Sequence, residues 1–302
     1  MDIHQILLKY WGHNNFRPLQ EDIINSALEG KDTLALLPTG GGKSICFQIP
    51  AMAKDGICIV VSPLIALMKD QVQNLVKRNI KAVAIYSGMT RREIDITLDN
   101  CIYGNIKFLY ISPERIETDI FKARYKKMKV NLIAIDEAHC ISQWGYDFRP
   151  SYLNIVKLKE ENPAIPFMAL TATATPEVVI DIQKQLQFKT ENALQKSFER
   201  KNLAYAVLKE EDKKNRLLKI LNSVKGTSVV YVRSRKKTKE IALFLQRNGI
   251  DSDFYHAGLS NDERTLKQSN WINDTTRVIV STNAFGMGID KPNVRSVVHI
   301  DL

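Results

Sequence analysis

Short apolar runs alternate with longer amphipathic segments over most of the chain. In the first two thirds, the runs are apolar at consecutive positions and rich in β-branched residues. Continuous apolar runs of this kind are typical of parallel strands that are covered by helices on both faces. Between two of them, segment 64–77 carries apolar residues at spacings of three and four, which predicts a helix. The pattern predicts strands at 33–37, 57–62, 82–86, 107–111, 132–136 and 167–171.

A polar stretch, ENALQKSFERKN, interrupts this alternation after residue 190. We interpret it as the junction of two domains, 1–193 and 194–302. The sequence therefore predicts an α/β protein with two doubly wound domains, each built on a parallel sheet. We expect the second domain to be incomplete, because the chain ends in or just after an apolar strand with no helix to cover it. In that domain the pattern predicts helices at 213–224, 236–246 and 262–272, and strands at 203–208, 228–232, 253–256, 277–281 and 295–302.

Charge and cysteine content narrow the class of protein further. The 302 residues carry a formal net charge of +10, which suits a nucleic-acid partner, although net charge alone fits a role in solubility equally well. None of the four cysteines form a CxxC pair, so we expect no zinc site. The chain begins without a basic leader and has no apolar stretch long enough to span a bilayer. We therefore expect no membrane partner and a cytoplasmic, nucleoid or nuclear location.

A glycine-rich turn, PTGGGKS at 38–44, joins the first predicted strand to the next helix. Its glycines allow several backbone amides to point at one phosphate, and the start of the helix adds partial positive charge. Lys43 can then reach the β- and γ-phosphates, and the Ser44 hydroxyl can ligate Mg²⁺. Leu37 stands where the strict phosphate-loop pattern has glycine, but a plain glycine turn does not explain Lys-Ser at this place. The other predicted phosphate-binding residues are Thr39, Gly40, Gly41 and Gly42.

Two adjacent acids follow the predicted strand of LIAIDEAHC at 132–140. Ligands of open α/β sheets bind at the carboxyl ends of the strands, where Asp136 and Glu137 stand. Asp136 is suited to hold Mg²⁺, and Glu137 is suited to orient and deprotonate an attacking water. A solvated acidic turn is the plainer reading, but it fits poorly with four apolar residues directly before the acids. Together with the glycine turn, these acids predict an ATP-hydrolysing site.

The motifs stand in an order that resembles the superfamily-two helicases: PTGGGKS, SPLIALMKDQV, DEAHC, ALTATAT and STNAFGMGIDKPNVR. Three stretches resemble the RecQ family more narrowly: FRPLQ at 16–20, ISQWGYDFRPSY at 141–152 and AFGMGIDKP at 284–292. The resemblance covers essentially the whole chain. It implies two RecA-like domains, the cofactors ATP and Mg²⁺, and a DNA helicase core that moves 3′ to 5′. The implied partners are single-stranded and partly duplex DNA, in repair and recombination.

The resemblance also implies contacts to the base and to the second domain. Gln20 would hydrogen-bond the adenine edge with help from Arg17, and Tyr10 or Trp11 would stack on the ring. Core packing is the plainer reading of Trp11. Next to the paired acids, His139 would couple the ATP site to the second domain or to segment 171–173. The nucleotide contacts implied in the second domain are Gly288 and Asp290.

Other residues of the resemblance would contact DNA. An aromatic cluster beside an arginine is a platform on which bases stack, and Trp144, Phe148 and Arg149 form such a cluster. A hydrophobic plug under the loop is a credible alternative for Phe148. Tyr146 departs from the family, which usually has His there. The implied contacts to the DNA backbone are Ser62, Pro63 and Thr282, which in isolation would be read as helix caps.

One motif of the family has no counterpart in this sequence. It follows the last strand and carries an arginine finger, which is typically worth about 10³–10⁵ in turnover. Arg277 and Arg295 lie in no matching motif, so we expect slow ATP hydrolysis and poor unwinding from this chain. The main alternative is a nucleotide-gated DNA-binding module with little turnover. An RNA helicase of the DEAD or DEAH type is a third hypothesis, against which the aromatic-rich loop argues, and an ATPase without a nucleic-acid partner is the weakest.

Overall fold

A computed structural model describes residues 2–38, 40–145, 147–197, 202–286, 289 and 291–301, without the side chain of Asn261. The chain divides into two compact units, residues 1–200 and 201–302. The boundary that we placed after residue 193 falls inside a short strand, Ala193–Gln195. This strand pairs with Thr33–Leu36, so that part of the polar stretch completes an edge of the first sheet.

A parallel sheet forms the centre of the first unit. Its strands are β1 (Thr33–Leu36), β2 (Ile57–Val61), β3 (Ala82–Ile85), β4 (Phe108–Ile111), β5 (Val130–Ile135), β6 (Phe167–Thr171) and β7 (Ala193–Gln195). They lie in the order β3-β4-β2-β5-β6-β1-β7, and all neighbours pair in parallel. The structure confirms the six predicted strands of this half to within two residues. Their carboxyl ends all lie at one edge of the sheet.

Helices cover both faces of this sheet. They are α1 (Ile3–Trp11), α2 (Gln20–Leu28), α3 (Lys43–Ala53), α4 (Ile65–Val76), α5 (Arg91–Tyr103), α6 (Asp119–Tyr125), α7 (Val156–Glu161) and α8 (Pro176–Gln185). Strand β5 shows how the two faces are filled. Leu132 packs in the same apolar cluster as Phe47 of α3, whereas the next residue, Ile133, packs in the cluster of Ile182 of α8. Burial on both faces explains why the strands are apolar at consecutive positions.

The second unit has a smaller parallel sheet of the same kind. In its described residues the strands are β8 (Thr227–Tyr231), β9 (Ser252–Tyr255), β10 (Val278–Ser281) and β11 (Val294–His299), in the order β11-β8-β10-β9. The helices are α9 (Lys213–Ser223), α10 (Arg235–Arg247) and α11 (Asn261–Ile272). These elements confirm the two predicted doubly wound domains. None of the helices in the described part of either unit is both long and apolar enough to cross a membrane.

The strand predicted at 203–208 is wrong. The described residues 202–210 form neither strand nor helix, and the side chains of Tyr205 and Val207 are 88% and 84% exposed. A continuous apolar run forms a strand only where a neighbouring strand accepts its backbone hydrogen bonds and a core covers its side chains. Among the described residues, no strand pairs with this segment and no core covers it.

Candidate active site

Four neighbouring strands of the first sheet end beside one another. In the order β2-β5-β6-β1, each is followed by a loop that the sequence marked as functional. Asp136 is tied to the end of the adjacent strand β2, because its backbone amide donates to the carbonyl of Val61 at 2.9 Å. The glycine turn follows β1, two strands away from β5. The topology therefore brings the two predicted halves of the ATP site to the same edge of the sheet.

The glycine turn leads directly into helix α3. Lys43 is the first residue of this helix, and the preceding Gly42 has a left-handed backbone with φ of 80°. Gly40 is also left-handed, with φ of 74°. A Cβ at Gly41 would lie 2.7 Å from the carbonyl oxygen of Pro38, so the turn has no room for a side chain there. Glycine is thus required by conformation at two positions and by space at the third, and the free amides of the helix start face the turn.

Gln20 and Arg17 brace this turn from the start of α2. The Gln20 side chain is buried, and its Nε2 donates to the carbonyl of Gly42 at 3.1 Å. Its Oε1 accepts from the backbone amide of Arg17 at 2.8 Å. Arg17 in turn donates from Nη1 to the carbonyl of Gly40 at 2.5 Å. FRPLQ therefore holds the shape of the phosphate turn, a contact that the sequence analysis missed.

Tyr10 and Trp11 lie at the end of α1 and are half-buried. Their rings meet edge to face with centroids 6.1 Å apart. Both pack against the apolar clusters that contain residues of α3, such as Phe47 and Ile49. This packing gives Trp11 the structural role that was the plainer reading of the sequence, and the stacking of either ring on adenine stays a prediction.

The surroundings of the Asp136 carboxyl disfavour its charged form. Its pKa is raised from 3.8 to about 6, first by burial and then by repulsion from Glu137, while the positive charge of Lys43 acts in the opposite direction. Lys43 begins α3 directly after the turn that follows β1, and Asp136 directly follows β5, so both lie at the carboxyl edge of the same parallel sheet. The half-buried Asp136 carboxylate and the Ser44 hydroxyl in the first turn of α3 are hard oxygen ligands, which is the donor set that Mg²⁺ prefers.

Glu137 and His139 lie on a tight turn after the strand. Glu137 has a left-handed backbone with φ of 49°, and this uncommon conformation for a residue with a side chain leads into the 3₁₀ turn Ala138–Ile141. The His139 Nδ1 lies 3.4 Å from a Glu137 carboxylate oxygen and 2.9 Å from the Thr171 hydroxyl at the end of β6. Burial lowers the pKa of His139, and the nearby Glu137 carboxylate opposes this shift. The contact of His139 to segment 171–173 is thus present.

Tyr152 is a positioning residue that the sequence analysis overlooked. Its ring is buried, and its hydroxyl donates to the backbone carbonyl of Asp136 at 2.9 Å. The hydroxyl holds the strand end from which both acids project. Tyr152 ends the stretch ISQWGYDFRPSY, whose sequence gives no other sign of this role.

Among the described residues of the aromatic-rich loop, Trp144 has an exposed ring. Trp144 is 79% exposed, whereas Phe148 and Arg149 are half-buried. Arg149 donates to the Asp147 carboxylate at 3.0 Å and from Nη1 to the carbonyl of Pro63 at 3.4 Å. The loop is thereby attached to the segment that follows β2.

The remaining predicted residues are placed as follows. Ser62 directly follows β2 and is buried, and its hydroxyl has no hydrogen-bond partner among the described residues. Thr282 directly follows β10 in the second unit and is half-buried. The other predicted positions lie outside the described residues, namely Thr39, Tyr146, Gly288 and Asp290.

Two arginines of the second unit serve its own backbone. Arg277 donates to the carbonyls of Leu221, Val224 and Gly226, which end helix α9 and begin β8. Arg295 donates from Nη1 to the carbonyls of Pro292 at 3.0 Å and Val294 at 3.2 Å. Both guanidinium groups therefore have a structural task within the unit.

Comparison with protein families defines the class. The model described as DEAD/DEAH box helicase matches residues 17–182, and the helicase conserved C-terminal domain matches residues 212–302. The two matches correspond to the two α/β units. The chain belongs to the DEAD/DEAH box helicase family.

Comparison with individual relatives narrows the class of helicase. The ATP-dependent DNA helicase RecQ of Bacillus subtilis is 44% identical over 98% of this chain and 51% of its own length. RecQ of Pasteurella multocida is 41% identical over 100% of this chain and 49% of its own. These identities confirm the resemblance to RecQ helicases, and the chain spans about half the length of these relatives. In fold, it matches S. cerevisiae Dbp5 bound to RNA and ADP BeF3 with a TM-score of 0.74 at 18% identity, over 100% of this chain and 79% of the other.

Proposed function

We propose that this chain is the motor core of an ATP-dependent DNA helicase of RecQ type. The core couples ATP hydrolysis to 3′-to-5′ movement on single-stranded DNA and opens duplex DNA during repair and recombination. The observation that carries the proposal is the meeting of Lys43, Asp136 and His139 at one sheet edge. Lys43 begins α3 after the turn that follows β1, and Asp136 and His139 follow β5, which is two strands away from β1 in the same parallel sheet.

In this proposal each residue of the edge has one task. The amides of the glycine turn and the Lys43 ammonium bind the phosphates of ATP. Ser44 and Asp136 hold Mg²⁺, which neutralises phosphate charge when bound. Glu137 accepts the proton of a water molecule aimed at the γ-phosphate. Release of that phosphate changes the surroundings of His139. Because His139 contacts Thr171, this change alters the end of β6 as well.

DNA binding is assigned to the aromatic-rich loop. Trp144 is exposed enough to stack on a base, and stacking does not depend on the base sequence. Arg149 of the same loop donates to the carbonyl of Pro63, so that a strand bound by the loop would act on the segment that follows β2. This arrangement supports stimulation of the ATPase by single-stranded DNA.

Three measurements on the purified chain test the proposal. ATP hydrolysis is measured with and without single-stranded DNA, and strand separation is measured on duplexes with a 3′ or a 5′ tail. Competition between DNA and RNA strands of the same sequence shows which nucleic acid the chain binds more tightly. We expect slow ATP hydrolysis that DNA stimulates, weak strand separation that favours the 3′-tailed duplex, and stronger competition by DNA. Equal competition by RNA would favour an RNA helicase instead.

A second candidate is a nucleotide-gated DNA-binding module. The engagement of Arg277 and Arg295 by backbone carbonyls favours it, because both guanidinium groups already hydrogen-bond the backbone of their own unit. The module would bind DNA more tightly or more weakly when ATP is present, yet turn over ATP at the same slow rate with and without DNA. The ATPase measurement therefore separates the two candidates.

A further inference from the structure

Three side chains of different chemistry converge just beyond the paired acids. The Cys140 Sγ lies 3.8 Å from the His139 Nε2 and 3.7 Å from an Asp147 carboxylate oxygen. One ligand atom from each of the three residues lies within 4.8 Å of the others. Within the described ranges, no other group of three His, Cys, Asp or Glu residues meets this condition.

We propose that His139, Cys140 and Asp147 form a binding site for Zn²⁺, although the lack of a CxxC pair in the sequence led us to expect none. Zinc takes thiolate, imidazole and carboxylate ligands at about 2.0–2.3 Å, so that tetrahedral ligands lie about 3.5 Å from one another. The two measured separations from the sulfur are close to this value. Three protein ligands leave a fourth position for water.

Neighbouring contacts hold the donors in this arrangement. The Thr171 hydroxyl lies 2.9 Å from the His139 Nδ1, and a hydrogen bond at one ring nitrogen orients the other toward a metal. The loop also folds back on the 3₁₀ turn, because the Arg149 amide donates to the Cys140 carbonyl at 2.8 Å. Gly145 makes this possible, since a Cβ there would lie 2.8 Å from the His139 carbonyl oxygen. Asp147 is thereby placed over the sulfur.

The charges of the site balance when the metal is bound. One thiolate and one carboxylate neutralise a divalent cation, which lowers the cost of burying it. Zn²⁺ binds the thiolate form of cysteine, so its binding releases the Cys140 proton and must tighten as the pH rises. Arg149 donates to the same Asp147 oxygen that faces the sulfur. Zinc and the guanidinium therefore compete for this carboxylate, which links zinc binding to the predicted DNA-binding arginine.

The test is a titration of the full chain with Zn²⁺ and with Co²⁺, in excess Mg²⁺ and a reductant that does not chelate metals. Calorimetry gives the stoichiometry and affinity for Zn²⁺, and the absorption of a cobalt–thiolate bond reports the sulfur ligand. Cys140→Ser and Asp147→Asn remove one ligand each. Cys101→Ser is the matched control, because Cys101 is a buried thiol in α5 outside this cluster.

We expect one Zn²⁺ per chain and a cobalt–thiolate band in the original chain and in Cys101→Ser. The band should vanish in Cys140→Ser, and the affinity for Zn²⁺ should fall at least about tenfold in Asp147→Asn. Absence of binding, or binding that Cys140→Ser and Asp147→Asn leave unchanged, would overturn the site. Asp147 is half-buried, so its variant remains informative if Cys140→Ser does not fold. The readout is independent of ATP hydrolysis, so its failure leaves the proposed helicase function standing.

Discussion

At the scale of single residues, the raised pKa of Asp136 makes Mg²⁺ binding depend on pH. Burial, followed by repulsion from Glu137, brings this pKa to about 6. Protons and Mg²⁺ compete for the carboxylate, so the affinity for Mg²⁺ should fall about tenfold per pH unit below that value. Glu137→Gln removes the repulsion and should move this loss to lower pH. Calorimetric titration with Mg²⁺ and a non-hydrolysable ATP analogue checks both; an affinity that is constant from about pH 5 to 7 would contradict the account.

The same carboxyl predicts how stability changes with pH. Because its pKa is higher in the folded chain than the ordinary 3.8, the folded state binds more protons between these two values. The contribution of this group to the free energy of unfolding should therefore decrease as the pH rises from about 4 to about 6. Asp136→Asn should remove this loss and be the more stable variant at neutral pH. Urea unfolding at several pH values measures the stabilities of both proteins. Equal stabilities at neutral pH would contradict the raised pKa of Asp136.

At the scale of elements, the glycine turn and α2 act as one unit. Gly42 and Gly30 have nearly the same left-handed backbone, with φ of 80° and 79°, so alanine costs about 1–2 kcal/mol of stability at either. Only at Gly42 would the new Cβ collide with the Gln20 side chain, whereas nothing lies within 4 Å at Gly30.

We therefore expect Gly42→Ala to weaken ATP binding at least about tenfold, because the turn loses its brace and its amides lose their alignment. Gly30→Ala should lower stability and leave ATP affinity unchanged. Fluorescence titration with a labelled nucleotide compares the two variants. Equal affinities would show that the brace between Gln20 and the turn has no part in nucleotide binding.

The aromatic-rich loop yields a prediction with a close control. Trp144 and Tyr103 are 79% and 80% exposed, so neither Trp144→Ala nor Tyr103→Ala should change stability measurably. Loss of a stacking ring costs about 1–3 kcal/mol of binding to single strands. Affinity for single-stranded DNA should consequently fall about 5- to 150-fold in Trp144→Ala alone. Fluorescence anisotropy with a labelled oligonucleotide measures this affinity. An equal fall in affinity in Tyr103→Ala would show that the loss does not depend on the Trp144 ring.

At the scale of the whole molecule, the sequence predicts the parts that repeat and misses those that depend on long-range contacts. Strands β1 to β6 were predictable because strands that are buried on both faces are apolar at almost every position. Segment 203–208 has the same character without a partner strand, and β7 is polar and short because it only completes an edge. From the sequence alone it was possible to predict that Lys43, Asp136 and Glu137 lie at the carboxyl edge of one sheet. The sequence contains no sign of the Tyr152 hydroxyl on Asp136 or of Gln20 on the glycine turn, because these pairs lie far apart in the chain.

The most direct test of the nucleotide site compares the original chain with Glu137→Gln. The variant keeps the shape of the side chain and removes the base, so ATP binding should persist while the DNA-stimulated rate of hydrolysis falls about 10²- to 10⁴-fold. A rate of hydrolysis that is the same in both proteins would contradict the assignment of this sheet edge as the place where the γ-phosphate is attacked.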